Sequence, residues 1–212
     1  MSRFHLMSVW SVALALSGPG IASGKSLDAI DCRLHPGTLC ADMNLSGLRA
    51  AAMDLSNSQF SGSRLVGARL ENTNLSHANL TRADLSKANL EAARLVEADL
   101  RAANLSGANL QRARLDGANL QNVRMLGGDL RQASLRNADF SRADLPASLM
   151  QHAQMQRADF NGANLTKVAL NGANLAGANF TNANLSGADL RGAVLEGAIF
   201  SNTHTTGCRG CP

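Results

Sequence analysis

From position 45 to position 200, every fifth residue is large and apolar. The 32 positions whose numbers are multiples of five hold 23 Leu, 5 Phe, 3 Met and one Ala, Ala50. The stretch ANLSGANLQRARLDGANL, from Ala103 to Leu120, shows the unit: Leu105, Leu110, Leu115 and Leu120, each with Ala two residues earlier. The register never slips and no insertion interrupts it. A helix would spread the large residues around its circumference, because five is not a multiple of 3.6. A continuous strand would alternate inward and outward without the reset that a five-residue period imposes. Two inward positions in every five, one large and one small, require a chain that bends at each pentapeptide and winds around a common axis. Polar residues, Gly and Asn supply the bends.

The phenylalanines set the size of each turn of this coil. Phe60, Phe140, Phe160, Phe180 and Phe200 all stand at multiples of twenty. With four pentapeptides per coil, all five fall in one column, where rings stack on rings. Thirty-two units then give about eight coils. At a strand spacing of about 4.8 Å the rod is roughly 35–40 Å long. Such a repeat is stable only as a stack with capped ends.

Units such as ANLSG, ADLSK, ANLQR, ADFSR and ANLTK resemble the pentapeptide-repeat family, A(D/N)LXX, over residues 41 to about 203. The resemblance implies an all-β chain, a right-handed quadrilateral parallel β-helix, with the central Leu or Phe and the preceding Ala pointing inward. Departures are local: Ala50 at a central position, Leu149 and Ala169 where Asn or Asp is usual, and Pro146 after Leu145. Proline removes one amide donor, so a bend or a loose coil is expected near 146–150.

The termini read differently. Arg3, the apolar run LMSVWSVALAL from Leu6 to Leu16, and the small residues SGPGIAS form a signal peptide over 1–22. Gly20 and Ala22 stand at −3 and −1 of the expected cleavage site. Residues 23–40 are expected to be an N-terminal cap segment and 204–212 a tail. Each contains a cysteine pair, Cys32 with Cys40 and Cys208 with Cys211, and both pairs lie outside the 41–203 repeat region. In an exported chain these pairs imply local disulfides, since a rod of roughly 35–40 Å separates them. The HTTGCRGCP tail also offers His204, Cys208 and Cys211 as three metal-type ligands, one short of tetrahedral zinc; free or redox-active thiols are the remaining reading.

The formal net charge is +4, or +3 once a cut after Ala22 removes Arg3. Charges are interspersed and no aromatic residues interleave them, which argues against nucleic-acid binding. No catalytic constellation emerges. His77 and His152 stand at outward positions nearly four coils apart, and no base is placed beside Ser76, Ser86, Ser106 or Ser186. Asn and Asp before each Leu are corner-bonding residues. The residues preceding the Phe column (Gln59, Asn79, Asp99, Asn119, Asp139, Asp159, Asn179, Ile199) include no base, whereas the other columns carry Arg49/Arg69, Arg64/Arg124 and Arg94/Arg114. The expectation is a non-catalytic exported scaffold or protein-interaction module, without cofactor or metal, meeting a protein partner rather than nucleic acid or membrane, with self-association through the rod ends open. The alternative implied by the family is a DNA-mimicking, topoisomerase-protecting protein, which the positive charge and the signal peptide disfavour.

Overall fold

The computed structural model describes residues 32–212. The expected signal segment and its cleavage site lie outside them. Within the described residues, parallel β-bridges join positions twenty apart without exception, from Leu39↔Gln59 to Asp189↔Arg209. The bridging residue is always the one before the central residue of its pentapeptide. Two backbone bonds hold each step. The amide of a central residue donates to the carbonyl nineteen residues on, as Leu80 does to Asp99 at 2.7 Å, and the bridging amide donates backwards, as Asp99 does to Ala78 at 2.9 Å. The strand segments are too short to form extended strands, so the fold is a parallel β-helix built from bridges and turns.

Each corner closes with an amide-to-carbonyl bond three residues back, Ala83 to Leu80 at 3.0 Å being representative. The second turn residue has positive φ, between 54° and 60° at the non-glycine positions. This is the conformation that a type II turn demands. Glycine and asparagine are common there, yet Ala102 (φ 55°) and Lys87 (φ 58°) also adopt it.

The interior contains the two inward rows. Leu105, Leu110, Leu115 and Leu120 are fully buried, with Ala103, Ala108, Ala113 and Ala118 at 1% exposure beside them. Phe140, Phe160, Phe180 and Phe200 form one continuous stack, with ring centroids 5.1, 5.1 and 5.0 Å apart and planes within 15° of parallel. Phe60 is buried in the same column but is separated from the stack by Leu80, Leu100 and Leu120. Rare polar residues in the small row are satisfied internally: Thr73 Oγ1 donates to the Ala50 carbonyl at 2.7 Å and Ser148 Oγ to that of Met125 at 2.6 Å.

Two sequence-based expectations need correction. The register does not stop at 41 and 203. It starts at the Pro36–Gly37 turn, with Leu39 bridged and Cys40 buried in the central column, and it runs to Arg209. Cysteine and threonine are small enough to occupy inward positions, so the first and last units lack the Leu signal. Nor does Pro146 loosen its coil: the bridges Arg124↔Asp144 and Asp129↔Leu149 persist on either side. Proline occupies the first turn position, whose amide elsewhere bonds a side chain, as Ser86 N does to Asp84 Oδ1, and not a backbone carbonyl of the neighbouring coil. The bonds beside it stay in the ordinary range, 2.9 Å for Ala147 N to Thr166 O and 3.1 Å for Gly127 N to Pro146 O.

Candidate interaction surface

With the apolar rows inside, chemistry is confined to the outward rows. The Asn or Asp before each central residue has two tasks. Its Oδ1 accepts the amide two residues on, as Asn104 does from Ser106 at 3.2 Å. At several Asn positions its Nδ2 also donates to the residue twenty earlier: Asn104 to Asp84 at 3.0 Å, Asn109 to Asn89 at 3.0 Å, Asn179 to Asp159 at 3.0 Å; Asn89 donates instead to Glu71 at 2.8 Å. An aspartate can only accept, so these ladders have a direction: an Asp is served by the Asn of the following coil.

A second device is the sequence Asp-Leu-Arg. Arg101, Arg131 and Arg191 each reach across the central Leu to the preceding Asp, at 2.6 Å from Asp99, Asp129 and Asp189. The hydrogen bonds from Arg191 hold the Asp189 carboxyl down at about 2. Those from Arg101 likewise lower Asp99. The guanidiniums are exposed, the carboxylates half-buried, and the pairs neutralise themselves. Arg94 and Arg114 differ. They face each other across a parallel bridge, and neither makes an ion pair or a side-chain hydrogen bond among the described residues.

The residues singled out by sequence fall as follows. Cys32 and Cys40 lie at disulfide distance with Cα atoms 5.2 Å apart, and Cys208 and Cys211 with Cα atoms 5.9 Å apart. His204 bridges to Asn184 in the ladder. Among the described residues no three His, Cys, Asp or Glu side chains converge on a metal-sized site. His77 and His152 are exposed second-turn residues; His77 Nδ1 stands 3.4 Å from Glu97 Oε2. No described His, Ser or Asp is assembled with another into a proton relay.

Sequence reasoning missed a rule of the corners. A long side chain at the second turn position leans over the corner twenty residues on. A Cβ at Gly117 would lie 3.3 Å from Glu97 Cγ, and one at Gly172 would collide with the His152 ring at 2.5 Å. Lys87/Gly107, Arg157/Gly177 and Lys167/Gly187 repeat the arrangement. The signal was present at a spacing of twenty, not five. Where two successive corners are small, a groove opens. One, with a volume of ≈ 570 Å³, has Ala176, Gly177 and Gly197 as its small residues and Arg136, Gln156, Arg157 and Glu196 around them.

Comparison with known proteins places this geometry. The pentapeptide-repeat family, described as Pentapeptide repeats, matches in eight copies over residues 54–91, 83–122, 93–132, 113–151, 129–162 and 163–202. The chain belongs to the pentapeptide-repeat family. Proteins of this family are right-handed β-helices and are generally non-catalytic. The chain is similar to the crystal structure of HetL, a pentapeptide-repeat protein involved in heterocyst differentiation regulation in the cyanobacterium Nostoc sp.: 31% identity over 84% of this chain and 90% of that one, TM-score 0.38. It is also similar to a pentapeptide-repeat protein, Rfr23, from the cyanobacterium Cyanothece, at 33% identity over 50% of this chain and 63% of that one, TM-score 0.32. QnrB1, a plasmid-mediated fluoroquinolone resistance protein, is similar at 20% identity over 82% of this chain and 90% of that one, TM-score 0.44. A search of curated proteins gives no match.

Proposed function

We propose that this pentapeptide-repeat chain is an exported, non-catalytic scaffold, a four-sided rod of about eight coils that presents fixed rows of side chains to a protein partner. The observation that carries the reading is the unbroken twenty-residue register from Leu39 to Arg209. It turns every outward residue into a member of a straight row at strand spacing, about 4.8 Å. Side chains held this way are already ordered, so a partner loses little by ordering them further. Export is supported by the charged start, the apolar run and the small residues before Ser23. Two cysteine pairs at disulfide distance suit an oxidising compartment.

The same rod associates with itself through its C-terminal end. In the last coil the Asn/Asp position holds Val194 and Ile199, 47% and 50% exposed, beside half-buried Leu195 and Phe200. A self-complementary end of this kind closes as a two-fold pair. N-terminal sequencing of the native protein, with sedimentation of the same preparation, tests both parts. The expected result is a chain starting at Ser23 that sediments as a dimer. An intact Met1 on a cytoplasmic product would sink export, and a monomer at all concentrations would sink the end-to-end contact.

A further inference from the structure

Six arginines of this surface, Arg69, Arg101, Arg112, Arg131, Arg136 and Arg191, are paired with carboxylates, and Arg94 and Arg114 are among those that are not. Arg94 and Arg114 occupy the ladder position on neighbouring coils, bridged directly to each other. Like charges placed opposite one another on adjacent strands repel. An Asn at either position would bond along the ladder, as Asn104 does. The row continues through the bridges Arg114↔Ser134 and Ser134↔Gln154. Beside those residues stand Arg136, held loosely by Asp116 at 3.7 Å, and Arg157, which has no ion-pair partner among the described residues. Arg136 and Arg157 are also the cations of the ≈ 570 Å³ groove, whose small residues, Ala176, Gly177 and Gly197, leave room for a backbone. Gln156 lines the groove too, its Nε2 donating to Gln154 Oε1 at 3.2 Å and its Oε1 buried without a hydrogen-bond partner among the described residues. At the far end of the groove is Glu196, exposed and also without an ion pair among the described residues.

We propose that this row and groove dock an extended acidic peptide segment of a partner protein, running along the rod with its carboxylates on Arg94, Arg114 and Arg157 and a neutral or cationic end at Glu196. The inference rests on the scaffold reading above and names the partner's chemistry. Spacing favours it. Along the axis Arg94 and Arg157 are three coil steps apart, about 14 Å, with Arg157 three residues further round its coil, and three carboxylates at alternate residues of an extended peptide span about 13 Å. Polarity favours it too. A uniform polyanion lying along this face would meet Glu196 at one end and Asp54, which heads the same ladder, at the other. A peptide with acidic residues in the middle meets neither, and the two carboxylates it passes, Glu97 and Asp116, are engaged by His77 at 3.4 Å and by Arg136 at 3.7 Å.

The test is fluorescence anisotropy of the full mature protein with a labelled peptide of about twelve residues, carrying three alternate glutamates and a lysine at the end directed to Glu196. We expect binding that weakens with salt, and that falls about tenfold in the double variant Arg94→Gln/Arg114→Gln and severalfold in Arg157→Gln. The variant Arg49→Gln/Arg69→Gln, an arginine pair on another side, should stay within about twofold of the parent, since rim charges act locally. An all-glutamate peptide of the same length should bind more weakly than the mixed one, and Glu196→Gln should remove that preference. All these residues are exposed, so circular dichroism should show every variant folded. No binding of the mixed peptide, an equal loss in the Arg49/Arg69 variant, or tighter binding of polygalacturonate than of peptide would overturn the proposal. Its failure is separable from that of the scaffold reading: a processed, dimeric chain that ignores the peptide loses only this docking site, and a chain that keeps Met1 but binds as expected loses only export.

Discussion

The two ends of the rod carry the same chemistry, a cysteine pair, and finish differently. At the first coil, Cys32 and Leu34 pack against the core, and the central residues beneath are closed: Cys40 at 0%, Leu45 at 8% and Ala50 at 1% exposure. Thr38 fastens this segment, its Oγ1 donating to Arg33 O at 2.6 Å and its amide to His35 O at 3.1 Å. At the last coil, the Cys208–Cys211 loop folds over one corner alone. Gly210 lies so close to the coil below that a Cβ there would stand 2.8 Å from Arg191 N, and Leu190 is correspondingly buried. Leu195 and Phe200 on the other sides stay half-buried. Their amides, which in earlier coils would donate nineteen residues on, have no backbone partner among the described residues. What closes a solenoid end is the chain laid across it, and a short disulfide loop covers only as much as it spans.

The largest expected effect separates interior from end. Leu110→Asp places a carboxylate where exposure is 0%, among leucines and alanines with no partner. It should cost several kcal/mol and melt neighbouring coils. Leu195→Asp, at the open end, keeps access to water and should cost a small fraction of that in the monomer. Thermal melts of the two variants check this; equal shifts would mean that the last coil is as closed as the middle.

Next comes association. Val194→Asn with Ile199→Asn restores the polar ladder residue at the end of two rows. The pair should abolish the end-to-end dimer, raising its dissociation constant at least about a hundredfold if each buried aliphatic contributes about 1.5 kcal/mol. Leu39→Asn, at the opposite end and 72% exposed, should leave sedimentation unchanged. A dimer that responds to Leu39 instead would place the contact at the closed end.

The period of five and the column of phenylalanines made the fold and its interior readable from sequence, because an inward position tolerates few residue types. Legibility fails where that selection relaxes. Cys40 and Thr205 hold central positions, yet neither looks like Leu, so the register seemed to stop short at both ends. Pro146 looked disruptive because the amide it lacks was assumed to serve the ladder. Outward rows obey no size rule, and their information lies at a spacing of twenty. The arginine pairs were visible in that register. The groove was not, because it depends on Ala176, Gly177 and Gly197 being small where neighbouring corners carry long side chains.

A smaller contrast lies in the cysteine pairs. Cys32 and Cys40 are 8 residues apart and Cys208 and Cys211 only 3. Loop closure alone gives about 2.5 kcal/mol for the first and about 1.6 kcal/mol for the second. Cys40→Ser also puts a hydroxyl in a fully buried site, though Thr38 Oγ1, 3.3 Å from the Cys40 sulfur, offers it a partner. Cys40→Ser should therefore lower the melting temperature more than Cys211→Ser, and a reductant should erase the Cys211→Ser difference while leaving Cys40→Ser only the effect of its buried hydroxyl. If Cys211→Ser proved the costlier change, the C-terminal loop would hold more of the end than Leu190.

The smallest effect is set by acid, and it too divides the rod. Asp189, near the open end, is held at about 2 by the hydrogen bonds of Arg191, against an ordinary value of 3.8. A carboxylate depressed in the folded state contributes its stability at pH values above 3.8, and loses it as pH falls from there toward 2. Near the first coil Asp54 is also lowered, by the Ser56 amide first and with no arginine beside it. Arg191→Gln should return Asp189 toward 3.8 and remove its share of the acid-induced loss, while leaving that of Asp54 in place. Asp54 is exposed and Asp189 half-buried at the surface beside an exposed Arg191, so the change in stability is slight, and NMR titration of the carboxyl carbons reads it more directly than a melt. The Asp189 midpoint should rise toward 3.8 in the variant while the Asp54 midpoint stays put. A midpoint for Asp189 that ignores Arg191 would mean that the Asp-Leu-Arg pairs are not formed in solution, and that the guanidinium of Arg191, like those of Arg94 and Arg114, is free for a partner.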